Sequence, residues 1–284
     1  MFRARLGVWF AALSLVACTT PPHLPTAPDA FNYSAQLEQL LPTDVLILGE
    51  QHDVAHHQRI HLAVVQRLAH SQRLGSLALE MADEGNSTKE LNRHASEAEV
   101  RAALQWQDDA WPWSAYGPAV MAAVRTGVLV AGANLPAARL REAMANPRLD
   151  GLLRGPALKA QQQAIRIGHC NLLPESQIAP MTRVQIARDV SMAQTVASLA
   201  QTDKTVLLLA GNGHADQSVG VPLQLPPTLK VKTVLLSADK AQAAIHSIAN
   251  FSQIWATDAA PPTDYCADFE ANRSPSGPPA VKTP

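Results

Sequence analysis

The chain has 284 residues, of which 47% are hydrophobic, so it can bury the core of one or two globular domains. Its formal net charge is −1 at pH 7, and lysine and arginine are not concentrated in any segment. A chain without a basic block lacks the electrostatic footprint of a nucleic-acid-binding protein, so we exclude nucleic acid as a partner.

The amino terminus resembles the leader of a bacterial lipoprotein. Arg3 and Arg5 supply positive charge, and residues 6–17 are uncharged and mostly apolar. This run is shorter than the roughly 20 residues of a transmembrane helix and has the length of a signal-peptide core. It ends in LVAC, so we predict that Cys18 is lipidated, although an ordinary signal peptide with a coincidental cysteine would look similar. Thr19 stands where an inner-membrane retention signal usually has Asp, which favours the outer membrane, facing the periplasm.

The rest of the chain divides by composition into a tether, a domain and a tail. We predict a signal peptide at residues 1–17, followed by a proline-rich tether at 18–30 that carries the lipidated cysteine. A single α/β domain occupies 31–270. Residues 271–284 are rich in Pro and Ser and poor in apolar groups, which is typical of a disordered tail.

Two cysteines follow the leader, Cys170 and Cys266. An oxidising periplasm permits a disulfide between them, and we predict that bond. Two free thiols or a pair of metal thiolates are the alternatives, and the lack of a CxxC spacing weighs against the metal.

Short apolar runs alternate with helical patterns through the domain. We predict a helix at 55–71, with Asp53 as its N-cap, and another at 115–125. Residues 136–200 contain several helices and no strand, so we expect a helical lid subdomain inserted before the fourth strand. This order is typical of an α/β fold with a mainly parallel central sheet flanked by helices. The predicted strands are 45–48, 75–79, 128–133, 205–210 and 230–236, with an edge strand at 252–256.

Polar or ionisable residues follow the first four strands. Glu50 and His52 come after the first strand and Glu80 directly after the second. Asn134 follows the third strand and His214 the fourth. Ligands of open α/β sheets bind outside the carboxyl ends of the strands, and buried carboxylates and imidazoles are costly unless they are paired. We therefore predict one shared site, against the alternative of unrelated helix caps and loop residues.

Histidine and glutamate offer this site two kinds of chemistry, because they can ligate a metal ion or act as general acid and base on a bound water. His52 precedes a helix N-terminus, whose dipole disfavours imidazolium, and neutral imidazole is the form that binds metal. The first helix adds His56 as a further candidate ligand near the strand edge. His57 and His61 share one helix face, where such residues are more often solvated than ligands.

Three of the five tryptophans lie close together, at Trp106, Trp111 and Trp113, and Tyr116 follows them. Core packing explains such a cluster. The alternative is a flat apolar wall for a planar ligand, with the Tyr116 hydroxyl as its polar tip.

Six segments follow one another in the region 45–266: LGEQH at 48–52, WSAYGP at 113–118, ANLP at 133–136, GHC at 168–170, RDVSMA at 188–193 and AGNGH at 210–214. Together and in this order they resemble ChaN-type haem-binding lipoproteins. The resemblance implies an α/β fold with a helical subdomain, haem binding linked to iron acquisition or trafficking, and a homodimer that encloses haem between its subunits. A phenolate oxygen suits ferric iron, so Tyr116 is the favoured axial ligand, with His52, His56 and His214 as alternatives or hydrogen-bond partners.

The chain is also similar to a wider superfamily that includes TIKI-type metallopeptidases and erythromycin esterase-like hydrolases. Its members share a paired GxxH pattern, which here is GEQH at 49–52 and GNGH at 211–214. In a hydrolase, Glu50 or Glu80 would activate water, while His52 and His214 bind a divalent metal or move protons. The sequence therefore predicts a haem-binding envelope lipoprotein, with a metal-dependent or metal-free hydrolase as the alternative.

Overall fold

The protein is built on a six-stranded sheet, in a computed structural model that describes residues 33–238, 248–259, 264 and 266–267. The strands are β1 (Val45–Glu50), β2 (Leu74–Asp83), β3 (Leu129–Asn134), β4 (Thr205–Gly211), β5 (Val231–Ser237) and β6 (Gln253–Ala256). Their order is β3-β2-β4-β1-β5-β6, and all neighbouring strands run parallel. The predicted α/β class with a parallel central sheet is confirmed. The leader, Cys18, the tether and the predicted tail lie outside the described residues.

Helices follow the strands on both faces of the sheet. They are α1 (Ser34–Leu40), α2 (Ala55–His70), α3 (Glu97–Ala103), α4 (Trp113–Arg125), α5 (Leu140–Ala145), α6 (Gly155–Gly168), α7 (Glu175–Leu199) and α8 (Asn212–Ala215). The residue that caps α2 is Val54, without a side-chain hydrogen bond, so the prediction of Asp53 as N-cap is wrong. Within residues 33–238 and the short described segments after them, no helix is both long and apolar enough to cross a membrane.

Strand β1 is buried on both faces, which explains its uninterrupted apolar sequence. Leu46 and Leu48 pack into a core with α2 and α4. Val45 and Ile47 point the other way, into a second core that includes Met192 and Val196 of α7. The period of two residues along a strand thus separates the two layers that cover the sheet.

The predicted helical insert between β3 and β4 is present as α5, α6 and α7. Its last helix spans 25 residues and packs against β2, β3 and β4, so α7 covers one face of the sheet. Only the shorter α5 and α6 lie away from the sheet and pack on α7. The long helix therefore serves the sheet core, and it also brings its polar residues to the sheet edge.

Strand β2 runs further than the predicted 75–79, because it continues to Asp83. Its register against β3 shifts between Leu79 and Asp83, so residues 80–82 leave regular pairing. A β-bulge of this kind redirects side chains at the end of a strand. The irregular end of β2 carries Glu80, one of the predicted site residues.

Candidate functional site

The carboxyl ends of β2, β4 and β1 are neighbours in the sheet and bring the predicted polar residues together. Glu50 ends β1, Glu80 lies at the irregular end of β2, and His214 is in α8 directly after β4. After β1 the chain goes to β2, and after β4 it goes to β5, which lies in the opposite direction along the sheet. The site therefore lies at a topological switch point, where α/β proteins bind ligands.

Glu50 is the centre of one half of this site. One carboxylate oxygen accepts from His52 Nδ1 at 2.8 Å and from the Tyr116 hydroxyl at 2.7 Å. The other accepts from Gln58 Nε2 at 2.7 Å and lies 3.7 Å from the ring of His61. Burial alone would raise the pKa of Glu50, but the charges of the histidines and these hydrogen bonds lower it below its ordinary value. Glu50 is therefore a buried carboxylate with its acceptor capacity nearly filled.

His52 is the partly open member of the site, with 32% of its side chain exposed. Its Nδ1 is held by Glu50, and its Nε2 lies 4.0 Å from a Glu80 oxygen. Burial opposes protonation, yet the hydrogen bond to Glu50 and the charge of Glu80 raise the pKa of His52. The two carboxylates thus outweigh the helix N-terminus, which by itself suggested a neutral ring. A Cβ on Gly211 would come within 2.9 Å of Nε2, so a glycine there makes room for the imidazole.

His214 lies between two carboxylates in the other half of the site. Its Nδ1 is 2.6 Å from Asp189 and its Nε2 is 3.4 Å from Glu80. Burial favours the neutral ring, but Glu80 and Asp189 together raise the pKa of His214 to about 10. The opposing pull of burial on Glu80 is outweighed by His214, which with a 2.6 Å hydrogen bond from Gly211 N holds the pKa of that carboxyl far below its usual range. His214 is therefore a buried imidazolium at neutral pH with both nitrogens engaged.

His56, His57 and His61 of α2 are buried, so the expectation that His57 and His61 are solvated is wrong. His57 Nδ1 accepts a hydrogen bond from Gln51 N at 3.0 Å, and its Nε2 lies 3.0 Å from the Thr257 hydroxyl. Burial lowers the pKa of His57 to about 4 and also lowers the pKa of His61. These two rings are neutral parts of the wall behind Glu50.

Two further predicted ligands are also enclosed. Tyr116 is 2% exposed, and burial and the nearby Glu50 charge raise its pKa far above the ordinary value, which disfavours the phenolate. The His56 ring is buried and its Nδ1 lies 3.1 Å from an Asp258 carboxylate oxygen. Asn134 turns inward at the end of β3, where its Oδ1 accepts from Leu135 N at 2.9 Å.

The aromatic cluster belongs to the protein core. Trp106, Trp111, Trp113 and Tyr116 are all buried in the layer that contains α2 and α4, and their rings contact one another edge to face or tilted. Trp106 Nε1 donates to Trp111 O at 2.7 Å. The cluster meets the site through Trp111, whose ring makes an edge contact with His52 at 4.8 Å between centroids. Core packing is thus the role that the structure gives these residues, because they present no open wall to a ligand.

Cys170 and Cys266 form a disulfide, which rules out the metal-thiolate alternative for this pair. In the part of the chain that the structure describes, no three His, Cys, Asp or Glu side chains are arranged to hold a metal ion. The charged residues of the site pair with one another instead.

The sequence did not point to Asp189, Gln185 or Gln58 as site residues. Asp189 and Gln185 both contact His214 from α7, and Gln58 donates to Glu50 from α2. Their helical spacing was the available signal, since residues four apart share a helix face, but it did not say which face meets the sheet edge.

Fold and site together define an α/β protein with a histidine–carboxylate network at the carboxyl edge of a parallel sheet. The family model described as haem-binding uptake, Tiki superfamily, ChaN matches residues 36–225. The chain therefore belongs to the ChaN family of haem-binding uptake proteins, as the six sequence segments predicted. No curated protein matches the sequence significantly.

Three solved structures are similar to this chain, and the first of them supports the fold with a TM-score above 0.5. ChaN of Campylobacter jejuni, described by its cofacial haem binding, has a TM-score of 0.60 and 24% identity, covering 72% of this chain and 86% of its own. A type III effector, HopBA1, has a TM-score of 0.37 and 15% identity, covering 69% and 77%. A mutant erythromycin esterase in its open conformation has a TM-score of 0.45 and 14% identity, covering 74% and 73%.

Proposed function

We propose that this protein binds haem at the carboxyl edge of its sheet and takes part in haem or iron uptake or trafficking. Membership of the ChaN family supports the cargo. The observation that carries the choice of site is the state of His52, whose Nδ1 is fixed by Glu50 while Nε2 has no hydrogen-bond partner among the described residues.

His52 fits a haem ligand better than the other three candidates. His214 has both nitrogens engaged by carboxylates, the Tyr116 hydroxyl donates to Glu50, and the His56 ring is buried. A carboxylate that accepts from one imidazole nitrogen orients the ring and strengthens the other nitrogen as a donor to metal. Iron binding displaces the Nε2 proton, as it does at any imidazole ligand. Haem would supply a ferric ion and a broad apolar plane. The protein's own contribution is the His52 Nε2 atom, oriented by Glu50 as a ligand for the iron.

The test is titration of purified protein with hemin, followed by the Soret band. We expect saturable binding by the wild type and at least a tenfold loss of affinity, with a shifted spectrum, for His52→Ala. His94→Ala removes an exposed histidine far along the chain and should leave the titration unchanged. Tyr116→Phe should keep the wild-type spectrum, because its hydroxyl serves Glu50.

Lack of saturable binding by the wild type would refute haem binding itself. Wild-type affinity and an unaltered Soret band in His52→Ala would refute only the assignment of the ligand.

We also propose that the protein is an outer-membrane lipoprotein facing the periplasm, anchored through Cys18. The lipobox-like LVAC and the apolar leader support the anchor. The Cys170–Cys266 disulfide supports an oxidising compartment. A homodimer that encloses haem between its subunits would shield the haem faces from water, and we include it in the proposal.

A hydrolase is a second candidate, because His52 and Glu80 are arranged as an acid–base pair. The 4.0 Å between His52 Nε2 and Glu80 is too long for a direct hydrogen bond but suits one bridging water. Glu50 would orient the neutral form of the His52 ring. That ring takes a proton from the water as the water oxygen attacks the substrate carbonyl, Glu80 stabilises the imidazolium, and the proton then passes to the leaving alkoxide or amine as its bond to the carbonyl carbon breaks. The metal-free form fits better than the metal-dependent one, because both nitrogens of His214 face carboxylates. A panel of activated esters and peptides tests this candidate, and turnover that His52→Ala does not abolish would exclude this site.

A further inference from the structure

Arg188 on α7 is a cation at the edge of the site that pairs with none of the residues that the structure describes. Its side chain is half-buried, and its Nε is fully buried with no hydrogen bond in the described part of the chain. Nor does any carboxylate described in the structure lie within ion-pair distance of its guanidinium. A buried N–H group without an acceptor is costly, so this arrangement calls for a ligand or an ordered water.

The residues around Arg188 on α7 fix where it lies. Gln185 and Asp189, one helical turn apart, both contact His214. Ser191 faces the β2–β3 side, where its hydroxyl donates to Ala133 O at 2.9 Å. Arg188 follows Gln185 by three residues and precedes Ser191 by three, so it lies between these two sets of contacts at the carboxyl edge of the sheet.

Asp83 and Asp189 are two carboxylates whose pKa burial raises and the Arg188 charge lowers, yet neither lies within ion-pair distance of the guanidinium. Asp189 is bound by His214 at 2.6 Å, and Glu84 accepts from Ser191 at 2.5 Å and from Arg139 at 3.2 Å. The Arg188 charge is felt at Asp189, where burial raises the pKa to about 6 and the charges of His214 and then Arg188 counteract it. The guanidinium thus contributes long-range charge to the network, while no described residue accepts a hydrogen bond from its buried Nε.

We propose that Arg188 is a carboxylate-binding subsite for the ligand of this edge. The inference rests on the proposed haem function, in which the carboxylate is a haem propionate. The guanidinium presents parallel N–H donors that match a carboxylate in a bidentate pair, which a lysine does not. A continuous set of polar contacts runs from Asp189 beside Arg188 through His214 and Glu80 to His52. A porphyrin whose iron is bound by His52 would carry its propionates at its rim, and Arg188 is a cation beside this set of contacts that pairs with no described residue.

The test compares two probes, hemin and hemin dimethyl ester, which differ only in the charge of the propionates. Wild type should bind hemin more tightly than the ester. Arg188→Met should weaken hemin binding by about tenfold or more, the usual value of one charge-assisted hydrogen-bonded pair, and leave ester binding within about twofold of wild type. The hemin affinity of Arg188→Lys should fall between those of the wild type and Arg188→Met, because lysine keeps the positive charge but lacks the parallel N–H donors of the guanidinium. Arg141→Met, which removes an exposed arginine of α5, serves as the matched control.

The outcomes separate the subsite from the haem function. Hemin binding by wild type with equal losses for both probes in Arg188→Met, or with no loss for either, overturns the subsite and leaves haem binding standing. No saturable hemin binding by wild type overturns both. The Soret maximum should not move in Arg188→Met, since the residue acts on the propionate and not on iron. Arg188→Lys keeps the test valid if the methionine variant folds poorly.

Discussion

His52 and His214 differ in how completely carboxylates hold their rings, and that difference decides what each can do. His214 is engaged by Glu80 and Asp189 through both nitrogens, whereas His52 is fixed by Glu50 through Nδ1 alone. A ring with one nitrogen fixed and the other open can bind a metal ion or take up a proton. A ring whose two nitrogens both face carboxylates is instead a buried cation of the protein. The two GxxH segments look equivalent in the sequence, but their surroundings make them unequal.

The charge of His214 predicts a loss of stability at alkaline pH. Its pKa is about 10 in the folded protein and near 6.5 when unfolded, so folding favours the protonated ring. This contribution is complete below pH 6.5 and disappears as the pH rises to 10. Since one pKa unit corresponds to about 1.4 kcal/mol, we expect the free energy of unfolding to fall by about 2 kcal/mol or more between pH 7 and pH 10.

Urea unfolding at a series of pH values measures this effect. The His214→Gln variant should be less stable at pH 7, because Glu80 and Asp189 lose their counter-charge, and its stability should change much less from pH 7 to 10. Equal alkaline slopes in the variant and the wild type would show that His214 is not the group responsible.

The sequence was informative about site residues that directly end a strand and uninformative about those that a helix supplies. Glu50, Glu80 and His214 could be grouped because the carboxyl ends of parallel strands meet at one edge. Asp189 lies inside a 25-residue helix, and its place beside His214 depends on how α7 packs across the sheet. That packing is a long-range property with no local signal.

The strands and helices themselves were predictable, apart from their ends. Apolar runs identified all six strands, because the sheet is buried on both faces and needs such runs. The end of β2 was missed because Glu80 and Asp83 are charged, which in a local reading indicates a loop. In the fold they belong to a strand whose register shifts, and that shift depends on the neighbouring β3.

Gly132 makes the irregular end of β2 possible. A Cβ at this position would lie 2.2 Å from Asp83 O and 2.8 Å from Ala82 O, both backbone atoms that cannot move aside cheaply. We therefore expect Gly132→Ala to destabilise the protein by about 2 kcal/mol or more, as overpacked substitutions do, and to weaken hemin binding by displacing Glu80. Thermal and urea unfolding together with the hemin titration measure the two effects.

Gly151→Ala is the control, because a Cβ there meets no atom within 4 Å. It should leave both stability and binding within error of the wild type. Full stability in Gly132→Ala would mean that the β2–β3 end relaxes easily and does not hold Glu80 in place.

At the scale of the whole molecule, the disulfide and the proposed anchor concern different parts of one chain. The disulfide joins Cys170, just after α6, to Cys266, beyond the last strand, across a separation of 96 residues. The loop it closes contains β4, β5 and β6, so the covalent bond connects the helical insert to the segment that follows β6. The membrane attachment that we propose lies in a different part of the chain, at Cys18 in the segment before residue 33.

Because the proposed anchor and the site lie in different parts of the chain, we predict that a mutation can abolish membrane attachment without changing hemin binding. Cys18→Ser should move the protein from the membrane fraction to the soluble periplasmic fraction, because the lipid is the only attachment we propose. The hemin affinity of the released protein should equal that of the wild type, since the site lies at the sheet edge. Thr19→Asp is the matched control, expected to remain membrane-bound but to shift to the inner membrane. Retention of Cys18→Ser in the outer membrane would contradict the anchor, and released protein that no longer binds hemin would mean that the bilayer, or a partner held there, completes the site.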